Sequence, residues 1–273
     1  MQPLTLINGS ATRTLASSDR GLNFGQGVST RVKVVGGKPQ LWQEHMRLLQ
    51  QGCAALGFHI NAVDKLVKRD LGLLPKADLS LRVTLTAGLG SNDLAMPAEY
   101  QPTRILQIEP CQYSEPLLDG ISVRVCQTQL SKQPKLAGIK HLNRLEFVLA
   151  RSEWRDPVIA EAVMLDTDGM LVSGTASNLF WVSQSRLFTP DLSFAGIRGA
   201  MRAAIIRLAA QQGIEVCEVR QPLAALADAE EILFCSALEG IRPVKALAQK
   251  QYAVGSQTLT AQLQSGLSQV LYD

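Results

Sequence analysis

The sequence is poor in the features that mark most specialised protein classes. It contains no apolar run of about eighteen residues, which excludes a helix crossing a membrane. Its first ten residues, MQPLTLINGS, lack the basic stretch and apolar stretch of a secretory leader, so a cytoplasmic location is expected. Five cysteines, Cys53, Cys111, Cys126, Cys217 and Cys235, are odd in number, scattered and never spaced C-x-x-C. They give neither a disulfide framework nor a zinc site, and buried thiols are the expectation. Three histidines cannot furnish a metal centre unaided, so no metal is expected. The net charge of +3 is small and its cations are spread along the chain, which gives nucleic-acid binding no support. Internal repeats and low-complexity tracts are absent.

What the 273 residues do have is core-forming material: 46% are hydrophobic against 19% charged, enough for one large or two medium domains. Residues 4–7 read as a strand turning at Asn8-Gly9, and a second strand runs from Val28 to Val35 into the turn Gly36-Gly37. Helices are expected over 44–56, with Met46, Leu49, Cys53 and Leu56 on one face, and over 61–71. Strands follow at 79–85 and 103–108. A proline-bearing, weakly periodic stretch at 113–120 separates a domain 1–112 from a domain 121–273. In the second half, strands are expected at 121–126, 161–165, 170–172, 214–219 and 231–235, with a strand ending at Thr189-Pro190. Helices are expected from 196 to about 212, over 222–227 and over 258–271, and a last hairpin over 248–253.

Two stretches carry chemistry. In KLAGIKHLNRLEFVLAR, residues 135–151, apolar residues recur at helical spacing from Leu142, and Lys140 stands at a loop-to-helix junction. A lysine there reaches into a cleft while the helix behind it packs, and desolvation lowers its pKa toward amine chemistry. Read alone, it is a solvated lysine at a helix start before it is anything else. Gly196-Ile197-Arg198-Gly199 precedes a helix, and glycines together with the free amides of a helix start attract phosphate. Ser236-Ala237 ends a buried strand, where a hydroxyl is ordinarily a turn group.

The order Lys-His-Leu-Asn-Arg at 140–144 resembles the lysine segment of aminodeoxychorismate lyases, within the class IV aminotransferase superfamily of fold-type IV pyridoxal-phosphate enzymes. Branched-chain and D-amino-acid aminotransferases belong to the same superfamily. Asp19-Arg20-Gly21 through Gly27-Val28 resembles its D-R-G-x-x-F-G-D-G-V-F-E-T opening, with Gln26 in place of the last Asp and Ser29, Thr30 and Arg31 on the substrate side. SGTASNLFWV, residues 173–182, resembles E-x-x-x-x-N-L-F, keeping Asn178 but placing Ser173 where the glutamate pairs with the pyridine nitrogen. Gly196, Ile197, Arg198 and Gly199 match the phosphate cup, to which Ser236 and Ala237 add a hydroxyl and an amide.

The resemblance implies an α+β, two-domain, D-amino-acid aminotransferase-like fold with the cofactor between the domains, and a homodimer binding a small-molecule substrate. It implies that Lys140 forms the aldimine with pyridoxal 5'-phosphate and then transfers protons, converting 4-amino-4-deoxychorismate to 4-aminobenzoate and pyruvate for folate synthesis. Three departures accompany it. The family's H-x-x-R-L is here His45-Met46-Arg47-Leu48-Leu49, so Arg47 stands about 100° round a helix from the phosphate-binding position, which Leu48 takes. Ser173 cannot keep a pyridine nitrogen protonated, which handicaps transamination more than an elimination whose product becomes aromatic. Ala87 stands where relatives often carry arginine. An aminotransferase, and a homologue that has lost catalysis and serves as a binding or structural dimer, remain open beside the lyase.

Overall fold

The computed structural model describes residues 3–72, 76–90, 93–113 and 118–272. These fall into two compact units. The architecture is α+β, with one sheet in each unit.

The first unit holds residues up to Tyr113, together with Ile139–Asn143. Its chain runs β1 (Leu4–Ile7), β2 (Ser10–Ala11), α1 (Arg20–Phe24), β3 (Gly27–Val35), β4 (Lys38–Pro39), α2 (Trp42–Ala55), α3 (Val63–Leu71), β5 (Leu79–Thr86) and β6 (Thr103–Pro110). The strands pair antiparallel in the order β2-β1-β6-β5-β3-β4. Alternation explains the core: Val28, Val32 and Val34 of β3 lie opposite Leu85, Leu81 and Leu79 of β5, and all six are buried. Trp42, Met46, Leu49 and Cys53 of α2, with Val67 of α3, pack into the same cluster. The other face of the sheet carries Ser29, Arg31, Arg82, Thr84, Gln107 and Glu109.

Both helices start within two residues of expectation. Each begins after a residue held at positive φ, Leu41 (φ 50) and Ala62 (φ 53), which turns the chain into the helix. Trp42 Nε1 donates to Asp64 Oδ1, tying the two helix starts together.

The second unit runs β7 (Ile121–Val125), α4 (Leu145–Arg151), β8 (Ile159–Leu165), β9 (Leu171–Gly174), β10 (Asn178–Ser183), β11 (Arg186–Pro190), α5 (Ala200–Gln211), β12 (Val216–Val219), β13 (Glu231–Ser236), β14 (Gly240–Leu247), β15 (Lys250–Gln251) and α6 (Leu259–Gly266). Its mixed sheet has the order β12-β11-β10-β13-β14-β7-β8-β9, with β15 against β14. The central strand β14 is absent from the sequence reading. Pro243 cannot donate to a ladder and two cations interrupt the apolar pattern, yet Ile241, Pro243 and Val244 are buried between β13 and β7.

Two expectations change. The helix after Lys140 begins at Leu145, so Lys140 lies five residues before it in an extended stretch. The sequence reading puts Lys140 in the second domain, whereas Ile139–Asn143 clusters with the first unit because its backbone bonds to β3. The first unit's main segment ends at Tyr113; residues 114–117 of the expected linker lie outside the described residues.

Candidate active site

In the first unit, the lysine segment lies along the start of β3. The Ser29 amide donates to the Lys140 carbonyl (2.9 Å), the Leu142 amide donates to the Gly27 carbonyl (3.0 Å), and Val28 and His141 bridge between them. Glycine makes this approach feasible. A Cβ on Gly25 (φ +65) would fall on the Asn143 side-chain oxygen, and one on Gly27 would meet the Leu85 carbonyl and Leu142 Cδ1. Gly52 of α2 likewise leaves room for Val28 and Ile139. Lys140 itself is half-buried.

The opening motif builds the shelf beneath this segment. Asp19 is buried and accepts from the Gly21 amide (2.8 Å), Thr86 Oγ1 (2.9 Å) and Thr103 Oγ1 (2.8 Å), fastening α1 to β5 and β6. Arg20, also buried, donates to Gln26 Oε1 (2.6 Å) and to the carbonyls of Asp93 (2.8 Å) and Leu94 (2.9 Å). Gln26, where relatives carry aspartate, is therefore an acceptor for Arg20 and donates onward to the Leu56 carbonyl (2.9 Å).

Of the three substrate-side candidates, Ser29 and Arg31 share one face of β3 and Thr30 points the other way. Thr30 Oγ1 lies 2.7 Å from His45 Nδ1, and both residues are buried. His45 Nε2 has no hydrogen-bond partner. Burial first, and then the positive charge of Lys140, push the His45 imidazole down to a pKa of about 3, so it is neutral at neutral pH. The sequence marks His45 only as a histidine at a buried position of an amphipathic helix. Arg47 lies on the exposed face of α2 and Leu48 on the buried face, so the structure does not bring Arg47 to the position that Leu48 occupies.

The second unit brings Asn178 and the glycine turn together. Asn178 Nδ2 donates to the Ile197 carbonyl (2.7 Å) and its Oδ1 accepts from the Gly199 amide (3.2 Å). A Cβ on Gly199 would collide with that oxygen, and one on Gly196 (φ +83) would meet Val172 and Leu192. Gly199 then caps α5, a helix with no side-chain cap and no acid in its first turn, leaving its positive end open to an anion. The Arg198 amide is engaged with the Gly138 carbonyl (3.1 Å), and the Gly138 amide with Gly196 (3.0 Å). Asn178 pairs with Cys235 across β10 and β13, which puts Ser236 and Ala237 at the end of the neighbouring strand. The Ser236 hydroxyl accepts from the Glu239 amide (3.2 Å) in a turn.

Ser173 is buried and donates to the Gly174 carbonyl (2.8 Å), leaving its oxygen lone pairs as acceptors. Twelve residues earlier stands a group the sequence reading missed. Glu161, 1% exposed, accepts from the amides of Ala162 (2.9 Å), Thr175 (2.9 Å) and Ala176 (3.3 Å), from Ser177 Oγ (2.7 Å) and from Thr175 Oγ1, with Arg242 Nη2 at 3.6 Å. It holds the loop that carries Asn178 into β10. A lone acid in an apolar strand, followed by a hydroxyl-rich loop, was its signal.

The Amino-transferase class IV model matches residues 27–247. The chain belongs to the class IV aminotransferase family. Among class IV proteins it is 28% identical to the aminodeoxychorismate lyase of Vibrio harveyi over 96% of this chain and 98% of that one. It is 30% identical to a putative branched-chain-amino-acid aminotransferase of Methanocaldococcus jannaschii, over 83% and 80%. The crystal structure of 4-amino-4-deoxychorismate lyase from Pseudomonas aeruginosa superposes with a TM-score of 0.92 at 36% identity, covering 97% of this chain and 98% of that one.

Class IV enzymes work with pyridoxal phosphate, whose aldehyde calls for an amine and whose phosphate calls for an anion site. In the second unit, the uncapped start of α5 after the Gly196–Gly199 turn would suit a phosphate; in the first, Lys140 carries a primary amine. Ser173 carries a hydroxyl and Leu48 an apolar side chain, so neither supplies the carboxylate or the guanidinium that the family pattern implies there. Among the described residues no cluster of His, Cys, Asp and Glu could hold a metal ion, and no helix is long and apolar enough to cross a membrane.

Proposed function

We propose that the protein is an aminodeoxychorismate lyase, converting 4-amino-4-deoxychorismate to 4-aminobenzoate and pyruvate with pyridoxal phosphate, in the cytoplasm, for folate synthesis. The observation that carries this reading is the pinned lysine segment, Ser29 to Lys140 and Leu142 to Gly27, within a chain resembling a lyase over nearly its whole length. Bound at Lys140, pyridoxal phosphate would supply an electron sink for the amine-bearing carbon. Lys140 takes the proton from that carbon and delivers one to the enolpyruvyl methylene as the ring carbon–oxygen bond breaks. The proton lost from the ring is matched by the one that completes the methyl group of pyruvate.

The open end of α5, with Ser236 and Ala237, would hold the phosphate, and Asn178 fixes the glycine turn that leads into α5. Losing the family's arginine removes charge-assisted hydrogen bonds worth roughly 1.5–3 kcal/mol, or about ten- to a hundredfold in cofactor affinity. Ser173 brings no negative charge to hold the ring nitrogen protonated. That suits an elimination driven by aromatisation better than transamination, which depends on a protonated ring.

A homodimer is part of the proposal. Leu145 (75% exposed), Val148 (56%) and Leu149 (61%) form an apolar stripe on α4 that a second copy would cover. Purified protein mixed with pyridoxal phosphate and substrate should release 4-aminobenzoate and show a Lys140-dependent absorbance band that Lys140→Ala abolishes. A band without product favours an aminotransferase, tested by exchange with 2-oxoglutarate. Absence of both favours the non-catalytic homologue, a reading supported by Leu48 and Ser173.

A further inference from the structure

The outer face of the first unit's sheet carries an unusual charge arrangement. Arg31 of β3 and Arg82 of β5 are directly opposite each other, and Arg82 is directly opposite Gln107 of β6. Cross-strand neighbours on one face have Cβ atoms about 4.5–5.5 Å apart, where like charges destabilise the sheet. Among the described residues neither arginine makes an ion pair, and Glu109, which borders the same small hollow, closes on neither. On the other side of Arg82 and Gln107 lies a groove of about 550 Å³, to which Arg13 adds a third unpaired guanidinium. Arg13 and Arg82 at this groove, with Arg31 and Glu109 at the adjoining hollow, leave a net positive face suited to an anion.

The groove reaches the lysine segment. His141 bridges to Val28, and Leu142, two residues after Lys140, lines the groove. Ser29, whose amide holds the Lys140 carbonyl, is directly opposite Thr84, another lining residue. Arg82 follows two residues along β5, about 6.7 Å further.

We propose that Arg82, with Arg13 and Arg31, is the carboxylate-recognition element for the substrate, selecting ring-bearing dicarboxylates. Resting on the lyase reading for the substrate's identity, the assignment gives each guanidinium a planar fork that grips a carboxylate in two places. The facing pair Arg31–Arg82 is tolerated because the ligand neutralises it. Specificity for a dianion then comes from the sheet, independently of the lysine chemistry.

The test uses full-length protein with pyridoxal phosphate, the variants Arg82→Gln, Arg82→Lys and Arg13→Gln, and chorismate as an unreactive ring dicarboxylate in calorimetric titration. Arg82→Gln should weaken chorismate binding about 10- to 100-fold. It should raise the substrate KM by a similar factor with kcat and the cofactor absorbance unchanged, and Arg82→Lys should fall between. Relief of the facing charges leaves the thermal midpoint of Arg82→Gln unchanged or higher, so lost binding cannot be lost folding. Chorismate binding unaffected by both glutamine variants overturns the proposal, as does a variant that shifts only dimer dissociation. Because the titration does not need turnover, absence of 4-aminobenzoate would sink the lyase reading and leave this result standing.

Discussion

Replacing Glu161 by glutamine puts the most demanding test on the second unit. The carboxylate presents one oxygen to the Ala162 and Thr175 amides and Thr175 Oγ1, and the other to the Ala176 amide, Ser177 Oγ and Arg242. Glutamine has a single acceptor oxygen, so in either orientation its NH2 faces donors. The Arg242 guanidinium, with its side chain 11% exposed, also loses one of its two acidic partners and keeps Glu239 at 3.1 Å. Breaking a buried charged network of this kind costs roughly 3–5 kcal/mol. At about 2–4 °C per kcal/mol for a domain of this size, the thermal midpoint should fall by about 6–20 °C. Because the loop 174–177 delivers Asn178 to the glycine turn, affinity for pyridoxal phosphate, read by spectral titration, should fall with it. A midpoint within 2 °C of the parent at unchanged cofactor affinity would refute the claim that Glu161 organises this loop.

Three further outcomes are expected. His45 takes up no proton in the folded protein above a pH of about 3, whereas unfolded chains titrate near 6.5. The unfolded state therefore binds more protons between these values, and stability falls as pH drops below about 6.5. The loss should be about 1.4 kcal/mol by pH 5.5 in urea titrations, and should vanish in His45→Asn. Gly25→Ala, which needs φ +65 and the space taken by Asn143, should displace the lysine segment and abolish the Lys140-dependent absorbance band while far-ultraviolet circular dichroism stays near native. Asp70→Asn should destabilise the first unit by roughly 3–5 kcal/mol in denaturant unfolding, because Arg104 donates through Nε (3.1 Å) and Nη2 (2.8 Å) to one buried carboxylate oxygen.

Most elements could be read from the sequence because they obey one period. Val28, Val32 and Val34 alternate into the core as a strand should, and Met46, Leu49 and Cys53 recur as a helix should. Strand β14 was hidden because its burial comes from position in the sheet, between β13 and β7, and Pro243 contradicts the local signal. The extended course of Ile139–Asn143 was hidden for a related reason. Leu142 and Leu145 suit a helix, and only the glycines at 25, 27 and 52, far away in sequence, offer the slot that draws the segment into the sheet's edge. Candidate residues defined by local motifs, Lys140, Asn178 and the Gly196–Gly199 turn, were legible. Glu161 and His45 act through partners about fifteen residues away, and Arg82 through its register against Arg31, none of which a linear motif displays.

The pairing of Gly27–Ser29 with Lys140–Leu142 also bears on the order of synthesis. When residues up to Tyr113 have left the ribosome, the first unit has all its strands but an unfilled slot beside Gly25 and Gly27, and more than two dozen further residues must be made before Ile139–Asn143 can fill it. Lys140 thus takes its place only after a second stretch of polypeptide is available, which keeps a half-made chain from displaying a positioned lysine. A fragment ending at Tyr113, supplied with a peptide spanning 139–143, would recreate that step in a test tube as a binding reaction.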